Sequence, residues 1–339
     1  MVLKAELHCH MEGAASPGLV ERKATKYGAD VSAFLQGGKF VWHDFTSFLR
    51  AYDQASMLFR TDEDYADLAE DYLLSLSRQG AIYSEVFIST DHAISAGLSP
   101  RAYIEGLAEG MRRAKGATGL ECRMIATGLR HKGPEAVLAA AQYIADNPHP
   151  LVTGFGMAGD ERMHSPKDFA AAFDLARNAG LGITVHAGEL SGWESVADAL
   201  DALRPARIGH GVRAIENPDL VKRLADDQIM LECCPGSNIS LSVYPDFPAH
   251  PFAELARAGV PVTLNSDDPP FFHTDLAREY EIAATYFGYD EEMLNAVTET
   301  AIKGAFVDEN TRTKLLERLH PDKTVRVADE LFAGSVSSS

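Results

Sequence analysis

The chain has 339 residues, 46% of them hydrophobic and 24% charged, with a formal net charge of −18. This is globular composition with enough length for a large core, and its acidic balance, with Lys and Arg scattered, speaks against nucleic acid and anionic membranes as partners. No stretch reaches the roughly 20 apolar residues of a membrane span.

The N-terminal MVLKAELHCHMEGA lacks the basic segment and apolar run of a signal peptide. Cys9, Cys122, Cys233 and Cys234 include no CxxC pair, which fits reduced, structural thiols in a cytoplasmic protein.

Short apolar runs predict strands over residues 3–7, 81–88, 121–127, 151–155, 182–185, 206–208, 228–232 and 261–264. Amphipathic stretches over 64–79, 100–115, 134–147, 166–179, 193–203, 218–225 and 250–258 predict helices between most of them. Strand–helix alternation implies parallel strands joined by crossovers, and eight repeats point to a (β/α)8 TIM barrel. A doubly wound open sheet has similar periodicity. Residues 31–62 read as a helical insertion after the first strand, and 280–319 as extra C-terminal helices. The expected organisation is a single barrel domain over 1–332 with a disordered tail over 333–339.

Four polar clusters fall at the C-terminal ends of predicted strands: His8-Cys9-His10, His186-Ala187-Gly188-Glu189, Gly209-His210-Gly211 and Ser266-Asp267-Asp268-Pro269. Each has an ordinary structural explanation taken singly, such as a loop-bonded histidine or a turn. Parallel strands bring those ends together, however, and one shared site accounts for all four at once. Side chains two apart on a strand share a face, so His8 and His10 can project together. His8, His10, His186 and Asp267 offer the nitrogen and carboxylate donors that suit one Zn2+ per chain, which lowers the pKa of bound water to about 7. Glu189 can then serve as a proton donor, and His210 can steer the attacking oxygen. The other eight histidines, His43, His92, His131, His149, His164, His250, His273 and His320, are assigned surface or structural roles.

These blocks, with Lys4-Ala5-Glu6-Leu7 before the first and Ala158-Gly159-Asp160-Glu161 between, resemble the adenosine deaminase family of metal-dependent amidohydrolases. They run in family order from residue 4 to 269. The resemblance implies His8, His10, His186 and Asp267 as zinc ligands, Glu189 as the acid facing purine N1, and His210 as the group orienting hydroxide. Asp267 would also accept the water's proton. Asp268 would bond N7, and the Gly159 backbone would meet the N3 side. Phe45, Phe48, Leu49 and Tyr52, on one helical face, suit either ordinary core packing or the apolar gate the family keeps over its substrate; Trp42 is a weaker candidate. The HxE and PCxxC motifs of the other zinc deaminase architecture are absent.

The implied reaction is deamination of a small-molecule 6-aminopurine. Glu12, in His10-Met11-Glu12-Gly13, stands where adenosine deaminases carry Asp, and Glu there resembles relatives acting on adenine or aminofutalosine-type nucleosides. The Ala158–Glu161 and Gly209–Gly211 blocks resemble the adenosine branch. Two blocks against one favour adenosine and 2′-deoxyadenosine, with adenine or an aminofutalosine-type nucleoside as the alternative. A catalytically silent purine-binding barrel is disfavoured, because the ligand set, Glu189 and Asp267 are all present. The oligomeric state, homo-oligomer or monomer, stays open.

Overall fold

The computed structural model describes residues 2–321. Eight parallel strands succeed one another in chain order: β1 (Lys4–Glu6), β2 (Ala81–Ile88), β3 (Glu121–Leu129), β4 (Val152–Ala158), β5 (Gly182–Ala187), β6 (Arg207–His210), β7 (Met230–Cys233) and β8 (Val262–Leu264). The ring closes between its ends through a parallel bridge of Cys9 to Asp267. There the His10 N–H donates to the Asp267 carbonyl at 2.9 Å, and the Asp267 N–H to the His8 carbonyl at 3.1 Å. Helices cover the outside and side chains fill the interior, so all eight residues of β2 are buried. The architecture is a (β/α)8 barrel with extra C-terminal helices.

The helix boundaries have local causes. Pro100–Thr118 starts with Pro at its first turn and Ser99 capping the Ala102 N–H, and it stops at left-handed Gly119. Asn217 caps Pro218–Asp226, and Thr61 forms a capping box with Asp64 at the start of Asp62–Arg78. The predicted 166–179 helix opens with a 3-10 turn, Pro166–Phe169, before Ala170–Asn178.

Strands β3 to β7 run one to three residues past the apolar runs that predicted them. The ladder continues through polar side chains, pairing His186 with Gly209 and Ala187 with His210. The excursion after β1 also differs from expectation. It contains a helix the periodicity did not reveal, Pro17–Tyr27, then a two-residue hairpin (Leu35–Gln36 with Lys39–Phe40) and the helix Phe45–Ser56. The C-terminal helices are Leu276–Tyr286, Glu291–Gly304 and Glu309–Leu319. The tail expected over 333–339, and the domain end at 332, lie outside the described residues. Among the described residues, no helix is long and apolar enough to cross a membrane. All four cysteines are buried free thiols.

Candidate active site

The site lies at the C-terminal mouth of the barrel, where the closure of the ring sets its geometry. The His8–Asp267 and His10–Asp267 backbone bonds carry the first and last strand ends side by side. Asp267 takes a left-handed backbone, φ 64°, and His210 another, φ 58°. Such conformations in non-glycine residues concentrate at functional sites.

His8, His10, His186 and Asp267 converge so that their donor atoms all lie within 4.8 Å of one another. Asp267 Oδ1 is 3.4 Å from His8 Nε2 and 3.3 Å from His10 Nε2. His10 Nε2 and His186 Nε2 stand 3.1 Å apart. His8 Nδ1 bonds Glu232 Oε2 at 2.8 Å, turning Nε2 inward, where it has no hydrogen-bond partner among the described residues.

The electrostatics of this cluster call for positive charge. Burial alone lowers His8, but Asp267 and Glu232 beside it raise it to about 9. Burial disfavours the Asp267 carboxylate, yet the His10 and His8 ring nitrogens that face it and the positive charge on His8 hold its pKa well below the usual range. His186, buried and beside three other histidines, is pushed well below its ordinary value and is neutral. Three imidazole nitrogens and a carboxylate oxygen, one nitrogen orphaned and one ring oriented by an outer carboxylate, fit a tetrahedral zinc-type cation. A second grouping, His8, His210, Cys234 and Asp267, is also close-set. Its cysteine is a poorer donor, because burial, then the Asp267 charge, pushes the thiol pKa well up.

Glu189 follows β5 and is buried, with Oε1 3.6 Å from His210 Nε2. Burial, reinforced by the charges of Asp267 and Glu161, pushes its pKa well above the usual carboxylate range. Asp268 is raised for the same first reason, then by Asp267, Glu189 and Glu12. Its Oδ1 is buried without a hydrogen-bond partner among the described residues. Gly13 makes room for that carboxylate, since a Cβ there would lie 1.7 Å from Asp268 Oδ1. Gly159, at φ 98°, would set a Cβ 2.6 Å from His131 Nδ1.

A cavity of about 700 Å3, counting its open mouth, joins these groups. Glu12, Gly159, Glu189, His210 and Asp268 line it, and Phe45, Phe48, Leu49 and Tyr52 form one wall. Phe48 also packs on Trp42, Phe271 and Phe272, so this helix face is core and cavity wall together. Trp42 does not line the cavity; its Nε1–H donates to the Phe271 carbonyl at 2.9 Å.

Several contributors escaped the sequence reading. Glu161, buried, accepts the backbone N–H groups of Gly188 (2.5 Å), Glu189 (3.0 Å), Leu190 (2.8 Å) and Ser191 (3.0 Å) and the Ser195 hydroxyl. It holds the loop that presents Glu189. Tyr103 donates to Glu12 Oε1 at 2.6 Å. His92 and His131 line the cavity and His250 is buried, a placement that the expected surface or structural roles did not specify.

The adenosine deaminase family model matches residues 3–321. The chain is 67% identical over 321 residues, 95% of its length and 99% of the relative's, to an adenine deaminase of Chelativorans sp. (strain BNC1). Among solved structures, an adenine deaminase from Arthrobacter aurescens aligns with a TM-score of 0.86 at 25% identity, over 94% of this chain and 98% of that one. An amidohydrolase from Burkhoderia ambifaria with bound Zn also gives 0.86, at 26% identity, over 98% and 93%. A match spanning nearly every described residue, on a barrel of the same form, decides the matter: the chain belongs to the adenosine deaminase family.

Proposed function

We propose that this protein is a zinc-dependent adenine deaminase, converting adenine and water to hypoxanthine and ammonia. The observation that carries the choice of free base over nucleoside is the setting of Glu12. Its carboxylate is buried in the cavity wall, accepting from Tyr103 at 2.6 Å and reached by Tyr52 at 3.5 Å. Two phenols anchored on different helices fix this longer acid at the position where the adenosine enzymes carry Asp, and that favours a smaller ligand without a sugar. The adenine deaminase relative at 67% identity supports the same choice.

This reading reverses the motif balance that favoured adenosine. The glycines in those motifs answer to packing. A Cβ on Gly209 would lie 2.8 Å from His8 Cε1, and one on Gly211 2.5 Å from Leu231. They serve the metal cluster and the barrel wall, so they carry no information about a ribose.

His8, His10, His186 and Asp267 would hold the zinc ion, which supplies Lewis acidity and acidified water at neutral pH. Glu189, kept protonated by burial, donates to purine N1 as oxygen adds to C6, so the ring nitrogen takes the displaced electron pair. Asp267, kept ionised, accepts the proton lost by water and returns it to the amino group. The C6–N6 bond then breaks, ammonia leaves with the bonding pair, and the remaining proton on the added oxygen returns to Glu189, leaving C6=O beside N1–H. Asp268, kept protonated, donates through its unpaired carboxyl to N7, and the Gly159 backbone meets the N3 edge. The Phe45–Tyr52 wall excludes bulk water.

The test is kcat/KM for adenine, adenosine and 2′-deoxyadenosine on the zinc-loaded enzyme. Preference for adenine is expected. Equal or faster turnover of adenosine would overturn the proposal.

A further inference from the structure

His210 Nε2 points into the site, 3.6 Å from Glu189 Oε1 and 4.0 Å from Asp267 Oδ2. Behind it, Nδ1 lies 3.3 Å from the side-chain nitrogen of Asn238. The Asn238 oxygen lies 3.0 Å from His250 Nε2, and His250 Nδ1 receives the Phe252 backbone N–H at 3.2 Å. All three side chains are buried. Tyr244 and Phe287 pack their rings against His250, 5.2 and 5.6 Å between centroids.

The polarity of this chain is fixed from its far end. A backbone N–H can only donate, so His250 Nδ1 must accept and the ring proton sits on Nε2. That proton goes to the Asn238 oxygen, which leaves the amide N–H facing His210 Nδ1. Turning the amide over would set its N–H against the His250 Nε2–H, two donors face to face. His210 Nδ1 therefore accepts, and its proton sits on Nε2. A ring whose Nδ1 accepts carries no proton there, so both histidines are neutral in this arrangement.

We infer that Phe252, His250 and Asn238 form a positioning relay that locks His210 as the neutral Nε2–H tautomer, a hydrogen-bond donor into the site. His210 is then not a general base, and it has no inward lone pair with which to join the second close-set group of donors. The use of the donor rests on the proposed deamination: the oxygen that attacks C6 carries negative charge once Asp267 has taken its proton, and Nε2–H stabilises and aims it. His250 and Asn238 touch no reacting atom; they act through His210.

The test is 15N NMR of histidine-labelled, zinc-loaded enzyme, with His210 assigned by the signal lost in His210→Asn. Expected is a protonated Nε2 and a pyridine-type Nδ1 on His210. A protonated Nδ1 in the wild type overturns the relay whatever the enzyme does with adenine. Conversely, failure to turn over adenine removes the substrate reading and leaves the tautomer standing. His250→Phe keeps an aromatic ring in place but removes the donor to Asn238. It should lower kcat about 10–100-fold, on the scale of lost outer-sphere support, with KM for adenine changed less. His250→Gln, which still donates to the Asn238 oxygen, should recover most of the loss. Equal loss in Phe and Gln variants, with the wild-type tautomer signal intact in both, also overturns the relay.

Discussion

His8 Nδ1 and Glu232 Oε2 stand 2.8 Å apart inside the barrel, and Glu232 is itself held by Arg207 at 2.5 Å and Thr184 at 3.0 Å. The chain continues from Arg207 to Glu85 at 2.6 Å and to the Gly304 carbonyl at 2.9 Å. A carboxylate on the outer nitrogen of a metal-binding histidine fixes its tautomer and raises its basicity. Glu232→Gln should therefore weaken zinc binding about 10–100-fold, read by competition with a chelating dye. Unchanged affinity would mean that His8 is oriented without Glu232.

Glu189 is expected to work as an acid, which gives both a variant and a pH dependence. Glu189→Gln should keep zinc and lose at least about 100-fold in kcat, the scale of general acid catalysis. In the wild type, burial raises the pKa of this carboxyl, so the active protonated form persists above the ordinary carboxylate range. Activity should then fall as pH rises through that raised value, and the alkaline limb should be missing from the residual activity of Glu189→Gln. Near-normal turnover in the variant would remove Glu189 from the mechanism.

The barrel and the site were legible to different degrees. The strand–helix alternation gives the (β/α)8 fold because each parallel strand is an apolar run, as β2 illustrates. It understates strand ends because the functional residues themselves, such as His186 and His210, interrupt the apolar run while still bonding in the ladder. The four polar clusters were readable because strand ends converge in this fold. The roles of His250 and of Glu161, which stood in a matching block without one, were not, since each acts on a residue distant in sequence. His250 reaches His210 through Asn238, 28 residues from His210, and no periodicity announces such a contact. Pro17–Tyr27 was missed because Lys, Arg and Glu interrupt its apolar positions, although Ser16 caps it and Pro17 and Gly28 bound it.

Glu161 collects four backbone N–H groups and a hydroxyl, all donors, so its two oxygens leave no place for an amide N–H. Glu161→Gln should destabilise the fold by about 1–3 kcal/mol, the range for a buried donor left unpaired. It should also lower kcat by loosening residues 188–191. Denaturant unfolding and steady-state kinetics on one preparation check both. A variant with wild-type stability would show that the loop holds itself.

Glu12→Asp shortens the acid held by Tyr103 and opens the space beside it. The expected outcome is a shift in the ratio of kcat/KM toward adenosine over adenine, with some loss of stability as the Tyr103 contact stretches. An unchanged ratio would show that Glu12 does not read the sugar.

Glu279 supports the short helix Pro235–Ser240 that carries Asn238. It accepts the Gly236 N–H at 3.0 Å and the Thr274 hydroxyl at 2.5 Å, and a Cβ on Gly236 would lie 2.3 Å from its Oε1. Burial raises its pKa to about 8 from an ordinary 4.5, against the pull of those two hydrogen bonds. The folded chain thus keeps a proton that the unfolded chain has lost, and folding stability falls as pH rises between about 4.5 and 8. Glu279→Gln has no such proton to hold. The gap in unfolding free energy between variant and wild type should move in the variant's favour across that window, by an amount on the order of a few kcal/mol, and level off above it. Urea titrations at pH 5 and pH 8 measure the difference. A gap independent of pH would mean that Glu279 ionises in the folded protein at its ordinary value, and that the hydrogen bonds to Gly236 and Thr274 cancel the effect of its burial.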